Sequence, residues 1–385
     1  MQALRIGDLE ARLPIIQGGM GVAVSLSGLA SAVANEGGIG VISSASIGML
    51  IPGFSKDFRA ANQRALREEI RKTRKLTKGI VGVNIMVALS DYTDHLQVAV
   101  EEGVDLIISG AGLPLKMPAI LLKDKAGENR TKFVPIASSA RAAKLIFKYW
   151  ADHYGVIPDA VVVEGPLAGG HLGFKTTQID DKDFSLQKLV PEIVSIMKPF
   201  EQQFGRPIPV IAGGGVYTGS DMRQIMSLGA AGVQIATRLV PTFECDASME
   251  FKKAYINSKK EDLMLIKSPV GLPGRAIRNQ FLEAVEAGEK KPIKCPWKCI
   301  KTCDYKKAPY CISLALINAS KGNLKNGFVF AGSNAYRTTK IQSVKAVFAE
   351  MIEEYKSASP PNNNLMSIRP MPDFLRNRSR VRALV

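Results

Sequence analysis

Short apolar runs recur through the first two thirds of the chain, each closing on a glycine or a small polar residue. They occupy residues 13–16, 39–42, 80–83, 106–108, 133–136, 160–163, 208–211 and 232–235. These runs are continuous and rich in Ile and Val, without polar residues at alternate positions. That pattern predicts strands buried on both faces, as in a parallel sheet. Between them lie stretches with helical spacing of apolar positions, at 26–36, 62–75, 92–102, 140–154, 186–204 and 221–228. Eight strands alternating with helices over about 230 residues predict a (β/α)8 TIM barrel spanning residues 1–240. A doubly wound open sheet is the alternative that alternation alone leaves standing.

After Val240 the rhythm breaks. A helix-like segment leads to Ser268-Pro-Val-Gly-Leu-Pro-Gly274, then to four closely spaced cysteines, then to Gly332-Ser-Asn-Ala-Tyr-Arg337 and a last amphipathic stretch at 341–355. Residues 241–356 therefore read as a C-terminal extension packed on the barrel. From Ser357 to Val385, Pro, Asn and Arg dominate and no periodicity survives, which reads as a disordered tail or one foreign to the protein.

The chain has 385 residues, 46% of them hydrophobic, enough for a large core. No run of eighteen apolar residues suggests a membrane span, and the first residues lack a basic-then-apolar leader, so a cytoplasmic protein is expected. The 51 Lys and Arg exceed the 35 Asp and Glu, for a formal charge of +16. Those cations are spread along helical segments and the tail without interleaved aromatic residues. The pattern favours acidic small ligands or a phosphorylated cofactor over nucleic acid.

In a barrel the loops after the strands build the site. Here they carry Gln17-Gly-Gly-Met-Gly21, Asn84, Ser138-Ser139, Gly213-Gly-Gly215 and Gln234-Ile-Ala-Thr237. Glycines there let backbone approach a flat or phosphorylated ligand and offer it N–H groups. The last two of these loops are where barrels most often hold a phosphate. His171, in Glu164-Gly-Pro-Leu-Ala-Gly-Gly-His-Leu-Gly173, is flanked by glycines that supply no packing. It is the one obvious acid–base residue. His95 and His153 lie in helical stretches and read as structural or surface residues.

As an ordered set, these segments resemble the nitronate monooxygenases (2-nitropropane dioxygenases), whose superfamily includes the flavin-dependent enoyl-acyl-carrier-protein reductases. The resemblance runs from about Leu13 to Arg278. It implies a barrel that binds FMN non-covalently, with Gly19, Met20, Gly21 and Asn84 at the flavin. Gly213, Gly214, Gly215, Gln234, Ala236 and Thr237 would surround the phosphate and ring, and His171 would act on the substrate. It also implies an oxidoreductase, either a nitronate monooxygenase or an NAD(P)H-dependent enoyl reductase, with a flavin-binding protein without catalysis as the third reading. The partners implied are a small-molecule substrate, then NAD(P)H or acyl carrier protein, and a second copy in a homodimer. Two departures from the family pattern stand out. Leu167 occupies the usual acidic position four residues before the histidine, and Ala236 stands where glycine usually precedes the threonine.

The cysteine cluster Cys295-x3-Cys299-x3-Cys303-x7-Cys311 lies outside that pattern. Four thiolates can hold a [4Fe–4S] cluster or a tetrahedral zinc ion, though this spacing matches neither common motif. Unligated thiols or disulfides remain the other reading.

Overall fold

The computed structural model describes residues 1–116, 119–122, 131–289 and 295–359. All eight predicted strands form: β1 (Ile15–Gln17), β2 (Gly40–Ser43), β3 (Val81–Met86), β4 (Leu106–Gly110), β5 (Lys132–Ala137), β6 (Val161–Glu164), β7 (Val210–Gly213) and β8 (Gly232–Ile235). They pair in parallel in the order β1-β8-β7-β6-β5-β4-β3-β2. The two ends of this sheet meet across a parallel bridge between Ile16 and Ile39. There the Ile39 N–H donates to Ile15 O and the Gln17 N–H to Ile39 O, both at 2.9 Å. The sheet is therefore a barrel, and the open-sheet alternative falls away.

Closure explains the unbroken apolar runs. One parity of strand residue, including Ile16, Val41, Leu106, Ile108, Val134, Val162 and Ile211, fills the barrel interior. The other parity packs outward under the helices, as Ile15, Val161, Val163, Val210 and Val233 do. A short antiparallel hairpin, Leu4–Ile6 with Leu9–Ala11, adds Leu4 and Ile6 to the interior cluster.

After β8 the chain does not go directly to an eighth outer helix. It first builds an antiparallel sheet from β9 (Leu263–Lys267), β10 (Pro273–Ile277) and β11 (Val329–Phe330). Only then does the last helix, Val344–Ser357, return to the barrel against the helices Gly219–Ser227 and Ser27–Asn35. Residues 241–343 thus form an insertion within the last β/α unit. Its two ends are zipped together: Thr242 bridges Gln342, and the Phe243 N–H donates to Gln342 O at 3.0 Å. The insertion also holds the barrel. Asp246 accepts from the N–H groups of Leu26, Gly28 and Leu29 at 2.8, 3.0 and 3.1 Å, capping a helix start that has no cap of its own.

Among the described residues no helix is long and apolar enough to cross a membrane. The tail beyond residue 359 lies outside the described residues.

Docking of the last helix depends on Gly219. A Cβ there would stand 1.9 Å from Met351 O, and the Gly219 N–H donates to Glu354 Oε2 at 2.6 Å. Helix propensity alone would favour alanine by up to about 1 kcal/mol. The clash predominates, so Gly219→Ala should lower stability by about 1–3 kcal/mol in urea unfolding.

Candidate active site

The strand ends open into one cavity of about 430 Å³ at the C-terminal mouth of the barrel. Gly19, Met20, Gly21, Asn84, His171, Gly213, Gly214, Gly215, Gln234, Ala236 and Thr237 all line it. One parallel ladder explains why residues far apart in sequence converge. Gly213 is in register with Glu164 on one side and Gln234 on the other, so three neighbouring strands end at the same height.

Two loops form a cradle with the chemistry a phosphate needs. Gly214 and Gly215 have φ of +89° and +111°, and a Cβ on Gly214 would meet Gly165 O at 2.7 Å. Among the described residues no acceptor is paired with the N–H groups of Gly214, Gly215 or Thr237. The insertion braces both loops: Asn334 Nδ2 donates to Gly215 O at 2.9 Å, and a Cβ on Gly332 would touch Thr237 Oγ1 at 2.5 Å. Gln234 Oε1 is buried with no hydrogen-bond partner, a cost of about 1–3 kcal/mol unless something in the cavity donates to it. Gly19 allows close approach at the opposite wall, where a Cβ would stand 2.3 Å from Asn84 Cβ. These residues fit a planar ligand with donor N–H groups at one end and a phosphate at the other.

Asn84 is held from behind by a buried polar network. The Ser44 hydroxyl donates to Asn84 O at 3.1 Å, and His95 Nδ1 lies 2.9 Å from the same hydroxyl. His95 Nε2 lies 3.1 Å from Asp91, which accepts from Asn62 at 2.7 Å. His95 is fully buried, so this network positions backbone and faces no ligand. His153 is exposed and stacks on Tyr149.

His171 departs from the sequence reading in its setting. Its glycine neighbours supply no packing, but the insertion does. Gly170–His171 forms a two-residue strand antiparallel to β10, with His171 opposite Gly274. His171 Nε2 lies 2.7 Å from Ser268 Oγ, and the ring packs edge-on to Phe330 at 5.0 Å between centroids. Ser268 Oγ also accepts from the Val270 N–H at 3.3 Å. The ring is reachable from the cavity but shielded from bulk water, and this burial lowers its pKa to about 4. At neutral pH it is an uncharged imidazole with one nitrogen engaged.

Two functional groups escaped the sequence reading. Glu164 ends β6 in the cavity wall, and burial without a charged partner raises its pKa to about 7. Arg275 is buried, and its Nη1 donates to Pro166 O at 2.7 Å and Ala168 O at 2.6 Å, clamping the loop that carries His171. Leu167, at the usual acidic position, lines the cavity beside Gly215. No Lys or Arg lines the cavity among the described residues.

The four clustered cysteines do come together, around a separate small cavity. All four are free thiols. Burial, reinforced by the neighbouring thiols, pushes Cys299 up to about 12 and raises Cys303 and Cys311. As free thiols Cys299, Cys303 and Cys311 are neutral and poor nucleophiles. Among the described residues no three ligand-type side chains converge as a single metal ion requires.

Comparison with known proteins gives the same outline. A dehydrogenase of Mycobacterium tuberculosis, (3aS,4S,5R,7aS)-5-hydroxy-7a-methyl-1-oxo-octahydro-1H-indene-4-carboxyl-CoA dehydrogenase, is 27% identical over 277 residues, or 72% of this chain. The match spans 66% of that relative's length, just under two thirds. A probable nitronate monooxygenase of Staphylococcus aureus is 28% identical over 313 residues, covering 73% of this chain and 79% of the relative. The solved structure of FabK from Thermotoga maritima superposes with a TM-score of 0.69 at 27% identity, over 90% of this chain and 93% of that one. The family model described as nitronate monooxygenase matches residues 4–354. This chain belongs to the nitronate monooxygenase family.

Proposed function

We propose that the protein binds FMN in the barrel mouth and oxidises alkyl nitronates, with His171 as the residue that acts on the substrate. The observation that carries this reading is the cradle itself: unpaired N–H groups on Gly214, Gly215 and Thr237, and the partnerless Gln234 Oε1. FMN, when bound, supplies the redox chemistry, and the chain supplies position and charge. The Gly213–Gly215 and Gln234–Thr237 loops would hold its phosphate, while Gly19, Met20, Gly21, Asn84 and Gln234 would hold the ring. No dinucleotide fingerprint is present for an adenosine half, which supports FMN over FAD.

His171 is neutral at working pH, so it can accept a proton or donate one N–H hydrogen bond without presenting a cation. Ser268 and Phe330 fix the plane of its ring. The hydroxyls of Ser138 and Ser139 and the amide of Asn84 are among the polar groups lining the cavity near the strand ends that can hold an anionic nitronate. Glu164 is the cavity group that changes charge near pH 7.

A second reading, oxidation or reduction of an acyl thioester, is favoured by one feature of the cavity. Met86, Leu89, Leu272, Ile300, Ile312 and Leu316 make an apolar wall larger than a small nitroalkane requires. The M. tuberculosis relative is named for a CoA thioester substrate. NAD(P)H or an acyl carrier protein would then be a partner.

Anaerobic titration separates the two. A short-chain alkyl nitronate should bleach the flavin bands with no nicotinamide present, and the released flavin should be FMN. Bleaching by NADPH, reversed by an enoyl thioester and absent with nitronates, would replace the first reading with the second.

For His171→Ala, turnover with the reducing substrate should fall by about a hundredfold or more while FMN stays bound. Loss of the Ser268 hydrogen bond should cost only about 1 kcal/mol of stability. Wild-type turnover in flavin-loaded variant would remove His171 from the chemistry.

The two cavity groups also impose opposite pH dependences on stability. Glu164 has a folded pKa raised to about 7, so the folded state binds more protons than the unfolded chain between the usual glutamate value and 7, and stability falls as pH rises through that window. His171, lowered to about 4, makes stability rise between about 4 and its unfolded value. The two slopes largely offset between about pH 4.5 and 6.5, so Glu164→Gln should unmask that of His171, with a melting temperature that rises with pH across that range more steeply than in the wild type, measured by thermal denaturation.

A further inference from the structure

The cysteine segment has no part in the flavin cradle, yet it lies against it. Ile312 lines both the main cavity and the smaller one ringed by Cys295, Cys299, Cys303 and Cys311. Cys299 Sγ is 3.5 Å from Ser313 Oγ, which is 2.8 Å from Ser46 Oγ, and both serines line the main cavity. The thiol site and the barrel mouth are thus separated by one layer of side chains.

We propose that these four cysteines are the ligands of a [4Fe–4S] cluster seated beside the flavin cavity. Three observations select that group. All four cysteines line one hollow and none is paired in a disulfide. A zinc ion would draw every sulfur to about 2.3 Å from one centre. A cubane instead gives each thiolate its own iron corner, so its ligands encircle a volume. Lys298 also lines the hollow, placing a cation beside a centre on which four thiolates leave net negative charge. The walls are largely apolar or aromatic, with Tyr310 and Ile312 buried, and shelter the cluster from solvent.

The test uses the full chain purified and kept under nitrogen, then reconstituted with ferrous iron and sulfide. About four iron and four acid-labile sulfide should remain per chain after desalting. Broad visible absorbance should underlie the flavin bands, and dithionite reduction should produce a cluster signal in electron paramagnetic resonance. Cys303→Ser, at a half-buried position, should lose most of the iron and sulfide. Its FMN content and circular dichroism should match the wild type. If that variant does not fold, Cys295→Ser provides the same comparison. One zinc per chain, or no iron and sulfide retained after reconstitution, would overturn the proposal. So would a Cys303→Ser protein that keeps the full cluster.

Discussion

The site depends on a short piece of antiparallel pairing that the barrel does not make by itself. Gly170 and His171 leave the loop after β6 and join β10 as a two-residue strand. That contact orients the imidazole, sets Ser268 beside it, and lets Arg275 reach back to two carbonyls of the same loop. A guanidinium buried at that depth is tolerated because it is hydrogen-bonded at short range, and the loop carbonyls are satisfied by the same contacts. The barrel supplies the cradle, and the insertion supplies the geometry of His171. Neither half is a site alone.

The same division governs electrostatics. The cavity contains no lysine or arginine among its described lining residues, although the chain carries a large positive excess. Cations near the site act on backbone, as Arg275 does, or lie outside, so Glu164 and His171 respond to desolvation more than to neighbours. That makes His171 neutral and keeps Glu164 partly protonated near neutrality.

Much of this was legible in the sequence, for identifiable reasons. A strand buried on both faces has to be apolar at every position, so the eight runs stood out. The glycine-rich strand ends marked the cavity because the residues after strands in a barrel share one rim. The setting of His171 was not legible. Its strand is two residues long, its partner lies about a hundred residues away, and glycine neighbours concealed the packing that Phe330 supplies. Arg275 lies in a stretch with no periodic signal, and its role depends on carbonyls that no sequence pattern displays. Glu164 looked like the polar end of an apolar run, and only the ladder register shows it beside Gly213 and close to Gln234. The sequence also suggested an appended extension, whereas the last helix returns to complete the outer layer.

The zipped ends of the insertion have a consequence for how such proteins diversify. Because Thr242 and Gln342 are neighbours, the hundred residues between them leave and rejoin the barrel at one point. Changes of length or sequence inside that span need not alter the spacing of the eight strands, since loop-closure entropy grows only slowly with length. The segment behaves as an exchangeable cassette. The side of the cavity that the insertion walls can be rebuilt while the glycine-rich strand ends opposite keep their places.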